Sequence, residues 1–321
     1  RRCEAARHYN RPMSLSFSSW RVPCAWLVVM VALGLASCAR MSSTTRTAIK
    51  ATNLPDLQGQ VQIRQLALED FRLQGPFDVL RRDDVELRLA PGLVTADLFF
   101  ASHGGRAPLV IIVHGYGASK ELHTYQARHV ASWGLHAMTL QLPNKGPWVD
   151  NARKLREVVA AIAQGQALSD GRIDGGKIIL AGHSFGASSV AVALAEGARA
   201  LGGILLDPAT TERAVPVYLA RNKAPILIIG ADEDTTVTTN RNYFFNYAKA
   251  RVYEVSVKDA IHEDAQFPAD YGNVTEDLQI TFAGALTSAA VSLALTGSFD
   301  YAWASFDGEL KNGRLVRPRV K

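Results

Sequence analysis

Cysteine is nearly missing from this chain: three in 321 residues, Cys3, Cys24 and Cys38, with none beyond. No disulfide can therefore staple anything after residue 38. Stability there must come from a buried core, which roughly 280 residues supply comfortably as one domain. A charge excess of one sign is lacking too. Of 35 basic and 30 acidic residues, Arg1, Arg2, Arg7, Arg11, Arg21 and Glu4 precede Cys38, leaving 30 against 29. No Lys/Arg cluster interleaved with aromatics occurs, so nucleic-acid binding has no support. No fixed-period repeat is visible. No His/Cys/carboxylate grouping has metal-ligand spacing, and neither a metal nor an organic cofactor is expected.

What is present begins with a leader. Val22–Ala36 is almost wholly apolar, preceded by Arg21 and followed by Ser37 and Cys38. The run is shorter than the ~20 residues that span a bilayer and has the charged start and small-residue end of a secretory signal. Leu35-Ala36-Ser37-Cys38 resembles a bacterial lipobox, which implies cleavage before Cys38 and lipidation of its thiol. The expected organisation is a leader over 1–38 (Arg1–Pro12 an upstream extension), a polar tether over 39–60, a catalytic domain over 61–300 and a C-terminal tail over 301–321, whose basic stretch Lys311–Lys321 is expected to be frayed. An exported, membrane-anchored monomer is expected; the alternative is a soluble secreted one.

Short apolar runs follow at Val85–Leu89, Leu93–Phe100, Leu109–Val113, Leu135–Leu140, Lys177–Ala181, Gly203–Leu206, Pro225–Ile229 and Arg251–Val257. Helical patterns alternate with most of them: Lys120–Trp133, Val149–Gln164, Phe185–Ala200 and Asn240–Ala248. Such alternation predicts an α/β fold, a mostly parallel sheet of about eight strands with helices on both faces. The interval between Leu206 and Pro225 is too short for an inserted lid domain. The apolar segment Ile280–Leu295 reads as a terminal helix packed on the sheet, because Ala283, Gly284, Ala285 and Ala289 permit close approach.

One segment carries chemistry. Gly182-His183-Ser184-Phe185-Gly186 links an apolar strand to a small-residue helix, the setting of a nucleophile elbow. A serine needs a base to take its proton, and the base is usually a histidine oriented by a carboxylate. In the chain order Ser, acid, His, the base must follow Ser184, and of eight histidines only His262 does. The acid is expected after the strand ending at Ile229. Asp234 is the choice there, with Asp232 second and Asp207, at the end of the preceding strand, third. The glycine-rich turn His114-Gly115-Tyr116-Gly117 can aim a backbone N–H at a developing oxyanion, with the N–H of Phe185 as second donor. His114 and His183 read as packing or hydrogen-bonding residues of these turns.

These pieces resemble the α/β-hydrolase superfamily over roughly 85–295. Within it they are similar to lidless esterases of the cutinase and polyester-hydrolase group, with dienelactone-hydrolase-like and chlorophyllase-like relatives. The resemblance rests on Gly115-Tyr116, the GHSFG elbow, Gly230 to Thr235, and Ala260-Ile261-His262. It implies Asp234 as acid, Tyr116 and Phe185 as oxyanion donors and pocket-lining side chains, and Trp148 as a cleft-bordering aromatic. The implied activity is hydrolysis of a small, lipid or polymeric carboxylic ester. The same triad would also serve an amidase, a thioesterase or an acyltransferase, and a non-catalytic surface lipoprotein is the farther alternative. The cysteine nucleophile of dienelactone hydrolases and the disulfides of cutinases are absent.

Overall fold

Residues that alternate along the apolar runs face opposite ways, and both ways lead into a core. In the 109–113 run, Val110 and Ile112 belong to one buried cluster, while Leu109, Ile111 and Val113 belong to another. The runs at 178–181 and 226–229 divide in the same manner. Period-two segments buried on both faces must lie inside a sheet covered on both sides. The computed structural model describes residues 65–89, 92–168, 170–233 and 236–321. The leader, Cys38, the tether and Asp234 lie outside the described residues.

The chain runs α1 (Leu68–Arg72), β1 (Val79–Leu89), β2 (Gly92–Ala101), β3 (Ala107–Val113), a 3-10 turn (Lys120–His123), α2 (Thr124–Ser132), β4 (His136–Leu140), α3 (Trp148–Ala163) and β5 (Ile173–His183). It continues through α4 (Phe185–Ala195), β6 (Gly203–Leu206), α5 (Val215–Leu219), β7 (Ile226–Ala231), α6 (Thr236–Tyr247), β8 (Val252–Val257) and a second 3-10 turn (His262–Ala265). The end is α7 (Glu276–Thr296), α8 (Asp300–Ser305), α9 (Asp307–Asn312) and β9 (Leu315–Val320).

These strands form one nine-stranded sheet, ordered β1-β2-β4-β3-β5-β6-β7-β8-β9. The six from β4 to β8 are parallel, and β1, β2 and β9 pair antiparallel at the edges. The expected α/β architecture is present. The helix predicted over 185–200 stops at Ala195, where Gly197 turns into the left-handed region at φ +86°.

The expected frayed tail is a correction. Leu315 is buried, and β9 closes the sheet edge by pairing with β8. Its basic composition suggested solvent, yet the arginines find distant carboxylates: Arg319 meets Glu254 at 2.5 Å and Arg317 meets Asp232 at 2.7 Å. The folded unit therefore extends past residue 300 to β9.

Helix α7 is long and apolar enough to cross a bilayer, but 72% of its most apolar stretch is buried. Phe282, Leu286, Ala289 and Leu293 join the core cluster, so it is the core helix its small residues suggested. A Cβ on Gly284 would meet the backbone of α1 at 3.1 Å, which explains the glycine where these helices touch. Between β6 and β7 lies only the five-residue α5, so no lid domain interrupts the carboxyl edge there.

Candidate active site

The turn from β5 into α4 places Ser184 at φ +54° and ψ −124°, a conformation rare for a side-chain-bearing residue. The residues two positions to either side, Gly182 and Gly186, must be glycine because the backbones almost touch. A Cβ on Gly182 would lie 2.6 Å from the Gly186 carbonyl carbon, and one on Gly186 would lie 2.5 Å from the Val113 and His114 carbonyl oxygens. Gly115 belongs to the same requirement, since its Cβ would stand 2.8 Å from that of Ser184.

Ser184 Oγ lies 2.9 Å from His262 Nε2, and His262 Nδ1 lies 2.6 Å from Asp207 Oδ2. With Nδ1–H donating to the carboxylate, Nε2 is free to accept the serine proton. The elbow and the histidine thus meet across 78 residues of sequence.

The carboxylate is not the one expected. Asp207 occupies the position expected of Asp234, and Asp232 is ion-paired to Arg317. Strand register supplies the reason. Parallel pairing sets His183 opposite Leu206, so the next residues, Ser184 and Asp207, emerge side by side at the carboxyl edge. The turn after β7 begins one strand farther out, about 4.8 Å away. Asp207 also sits at positive φ (+36°), and its neighbour strand's Ala231 N–H donates to Oδ1 at 2.9 Å. Burial alone would raise this carboxyl. The hydrogen bond from His262, the charges of His262 and Arg241, and the Ala231 amide together hold it below the ordinary aspartate value.

The turn that carries His262 is fastened at several points. His183 Nε2–H donates to the His262 carbonyl at 3.1 Å, with the two rings 4.5 Å apart. Gln126 donates to the Ala265 carbonyl at 2.9 Å, and Asp264 accepts from the Ile261 amide at 2.8 Å. Burial pushes His183 well below the usual imidazole range and His123 down to about 4, so both stay neutral beside the candidate base. His114 is likewise lowered by burial; its Nδ1–H donates to the Gly115 carbonyl at 3.0 Å and its Nε2 accepts from Leu142 at 3.1 Å. His114 and His183 are hydrogen-bonding residues of the two turns, as expected.

The loop opposite the elbow is pinned as well. Gly117 donates its amide to the Asn144 carbonyl at 2.8 Å. Lys120, almost fully buried, binds Asp97 at 2.6 Å, Glu121 at 2.8 Å and Asp84 at 2.9 Å. Phe185 opens α4, where the first N–H groups have no intrahelical acceptor. Tyr116 is 63% exposed, and its ring stands 6.4 Å from that of Phe185. Trp148 is placed differently from the expectation of a cleft border. It is only 4% exposed and stacks beneath Phe185 at 5.2 Å, a support for the wall more than a part of its surface. Glu212 accepts from the Trp148 and Val149 amides at 2.6 and 3.2 Å, fixing the start of α3.

Among the described residues, no three His, Cys, Asp or Glu side chains gather as a metal site requires. No curated protein matches the chain. The sequence model of the alpha/beta hydrolase family matches residues 110–306, which include the elbow, Asp207, His262 and most of the sheet. The chain belongs to the alpha/beta hydrolase family.

Proposed function

We propose that the protein is a serine hydrolase that cleaves carboxylic esters. The observation that carries the reading is the unbroken line of hydrogen bonds from Ser184 through His262 to buried Asp207. Ser184 Oγ attacks the ester carbonyl carbon while His262 Nε2 takes its proton. The N–H groups of Tyr116 and Phe185 receive the carbonyl oxygen as it becomes an oxyanion. His262, now an imidazolium stabilised by Asp207, gives the proton to the departing alkoxide, and an acyl-serine remains. Water then attacks that acyl group by the same route and returns the carboxylic acid and free enzyme. The wall made by exposed Tyr116 and half-buried Phe185 supports an apolar acyl or alcohol group beside the serine.

The purified protein is expected to turn over a p-nitrophenyl ester series from acetate to octanoate, with a p-nitrophenol burst wherever deacylation is slow. A chain that hydrolyses none of the series above the buffer rate would overturn the ester reading.

A further inference from the structure

Arg241, on α6, is 2% exposed and makes four bonds in the core. Nη1 donates to Asp207 Oδ1 at 2.6 Å and to the Ala231 carbonyl at 2.7 Å. Nε reaches Glu254 at 3.3 Å and Nη2 reaches Ser256 at 3.2 Å. Gly230 makes room for it, because a Cβ there would lie 2.1 Å from Nη1. Glu254 in turn receives Arg319 of β9. A charged file thus runs from the last strand to the candidate acid, with two carboxylates and two guanidiniums in balance while His262 is neutral.

Burying such a file costs several kcal/mol per ion, and well-packed apolar residues of like volume would often stabilise a core as well or better. Packing alone therefore does not account for it. Its geometry does: Arg241 and His262 hold opposite oxygens of one carboxylate, so each affects how strongly that carboxylate holds the other.

We infer that Arg241 is a positioning residue for the triad. Its guanidinium fixes the Asp207 carboxylate, and its charge offsets part of that carboxylate's pull on the imidazole, setting the pH at which His262 becomes free to act as a base. The inference rests on the ester-hydrolase reading above. Titratable groups near His262 among the described residues include His183 with His123 and His114 behind it, Glu263 and Asp264 on its own turn, and Glu233 on the turn after β7, whose amide donates to the Ala260 carbonyl at 3.0 Å. The buried histidines are neutral and Asp264 is engaged with the amides of Ile261 and Thr275, leaving Arg241 as the cation on the acid.

The test is the pH dependence of kcat/KM for p-nitrophenyl butyrate, which reports ionisations of the free enzyme, alongside melting curves. In Arg241→Met the acidic limb should move up by about one pH unit, because the unshielded carboxylate holds the imidazole's proton more firmly. Arg241→Lys keeps the charge and should leave the limb in place while lowering the plateau. Glu254→Gln, which frees Arg241 from its second carboxylate, should move the limb down by a smaller amount. A merely structural arginine would lower melting temperature and plateau without moving the limb. Limbs unmoved in both Arg241→Met and Glu254→Gln, or moved the same way in both, overturn the inference. If Arg241→Met does not fold, the direction in Glu254→Gln decides. A wild-type chain inactive on every ester instead removes the reading beneath it.

Discussion

Replacing Ser184 with alanine is expected to lower kcat/KM for short p-nitrophenyl esters by about 10⁶-fold with the melting temperature nearly unchanged. The size follows from the role proposed for the hydroxyl: without it no acyl-enzyme could form, and only oxyanion stabilisation and substrate binding would remain. The fold is spared because alanine keeps the Cβ at the strained φ of +54°, so the backbone strain is the same in both proteins. The lost hydrogen bond is the one to His262, whose ring stays tied through Nδ1 to Asp207. His262→Ala is expected to cost about as much as Ser184→Ala, since groups that act as one unit do not contribute separately. Steady-state kinetics at pH 8 with parallel melting curves checks this. Residual turnover within tenfold of wild type in Ser184→Ala would place the chemistry elsewhere.

Asp207→Asn should lower kcat by about 10⁴-fold at neutral pH, while Asp232→Asn should stay within a few-fold of wild type. The amide removes a charge that stabilises the imidazolium. It also presents an NH₂ that can turn the ring to the tautomer with its proton on Nε2, where the serine needs a lone pair. A loss of 10⁴-fold corresponds to about 5.5 kcal/mol of barrier. Asp232 faces Arg317 at the sheet edge, and its neutralisation reaches a partly exposed ion pair away from Ser184 and His262. The same comparison decides the acid assignment: a large loss in Asp232→Asn with a small one in Asp207→Asn would reverse it. The pH dependence has a sign. The Asp207 carboxyl is held below its ordinary value, so its contribution to native stability is present above the unfolded-state value and is lost as pH falls through the folded one.

Much of this is legible in the sequence. Apolar runs of strand length separated by helical periods announce a doubly covered sheet, since only such a sheet buries every residue of Leu109–Val113. The elbow was legible because glycine at 182 and 186 is a steric requirement and not a preference. His262 followed from exclusion along the chain. The carboxylate that meets His262 is not legible at the residue level. Choosing between Asp207 and the aspartates after β7 needs strand register, and register is a property of pairing between segments far apart in sequence. The carboxylate directly after the Gly203–Leu206 run was the available signal, since parallel neighbours end together at one edge.

The last strand and Arg241 were hidden for a related reason. A stretch such as Arg317-Pro318-Arg319 reads as solvated tail, and its carboxylate partner at Glu254 is 65 residues away. Composition records the charge of a side chain but not whether another charge waits for it in the fold. Trp148 illustrates the converse. The resemblance to lidless esterases implies Trp148 at a cleft wall, whereas the backbone anchored by Glu212 turns its ring under Phe185.

The central claim is that Ser184 is the oxygen that becomes acylated, activated by His262. It is tested most directly by treating the protein with a fluorophosphonate and mapping the adduct by peptide mass spectrometry. The result expected is one phosphonyl group per chain on the peptide bearing Ser184, formed far more slowly in His262→Ala and absent in Ser184→Ala. An adduct on any other residue, or none in a folded protein that still turns over esters, would contradict it.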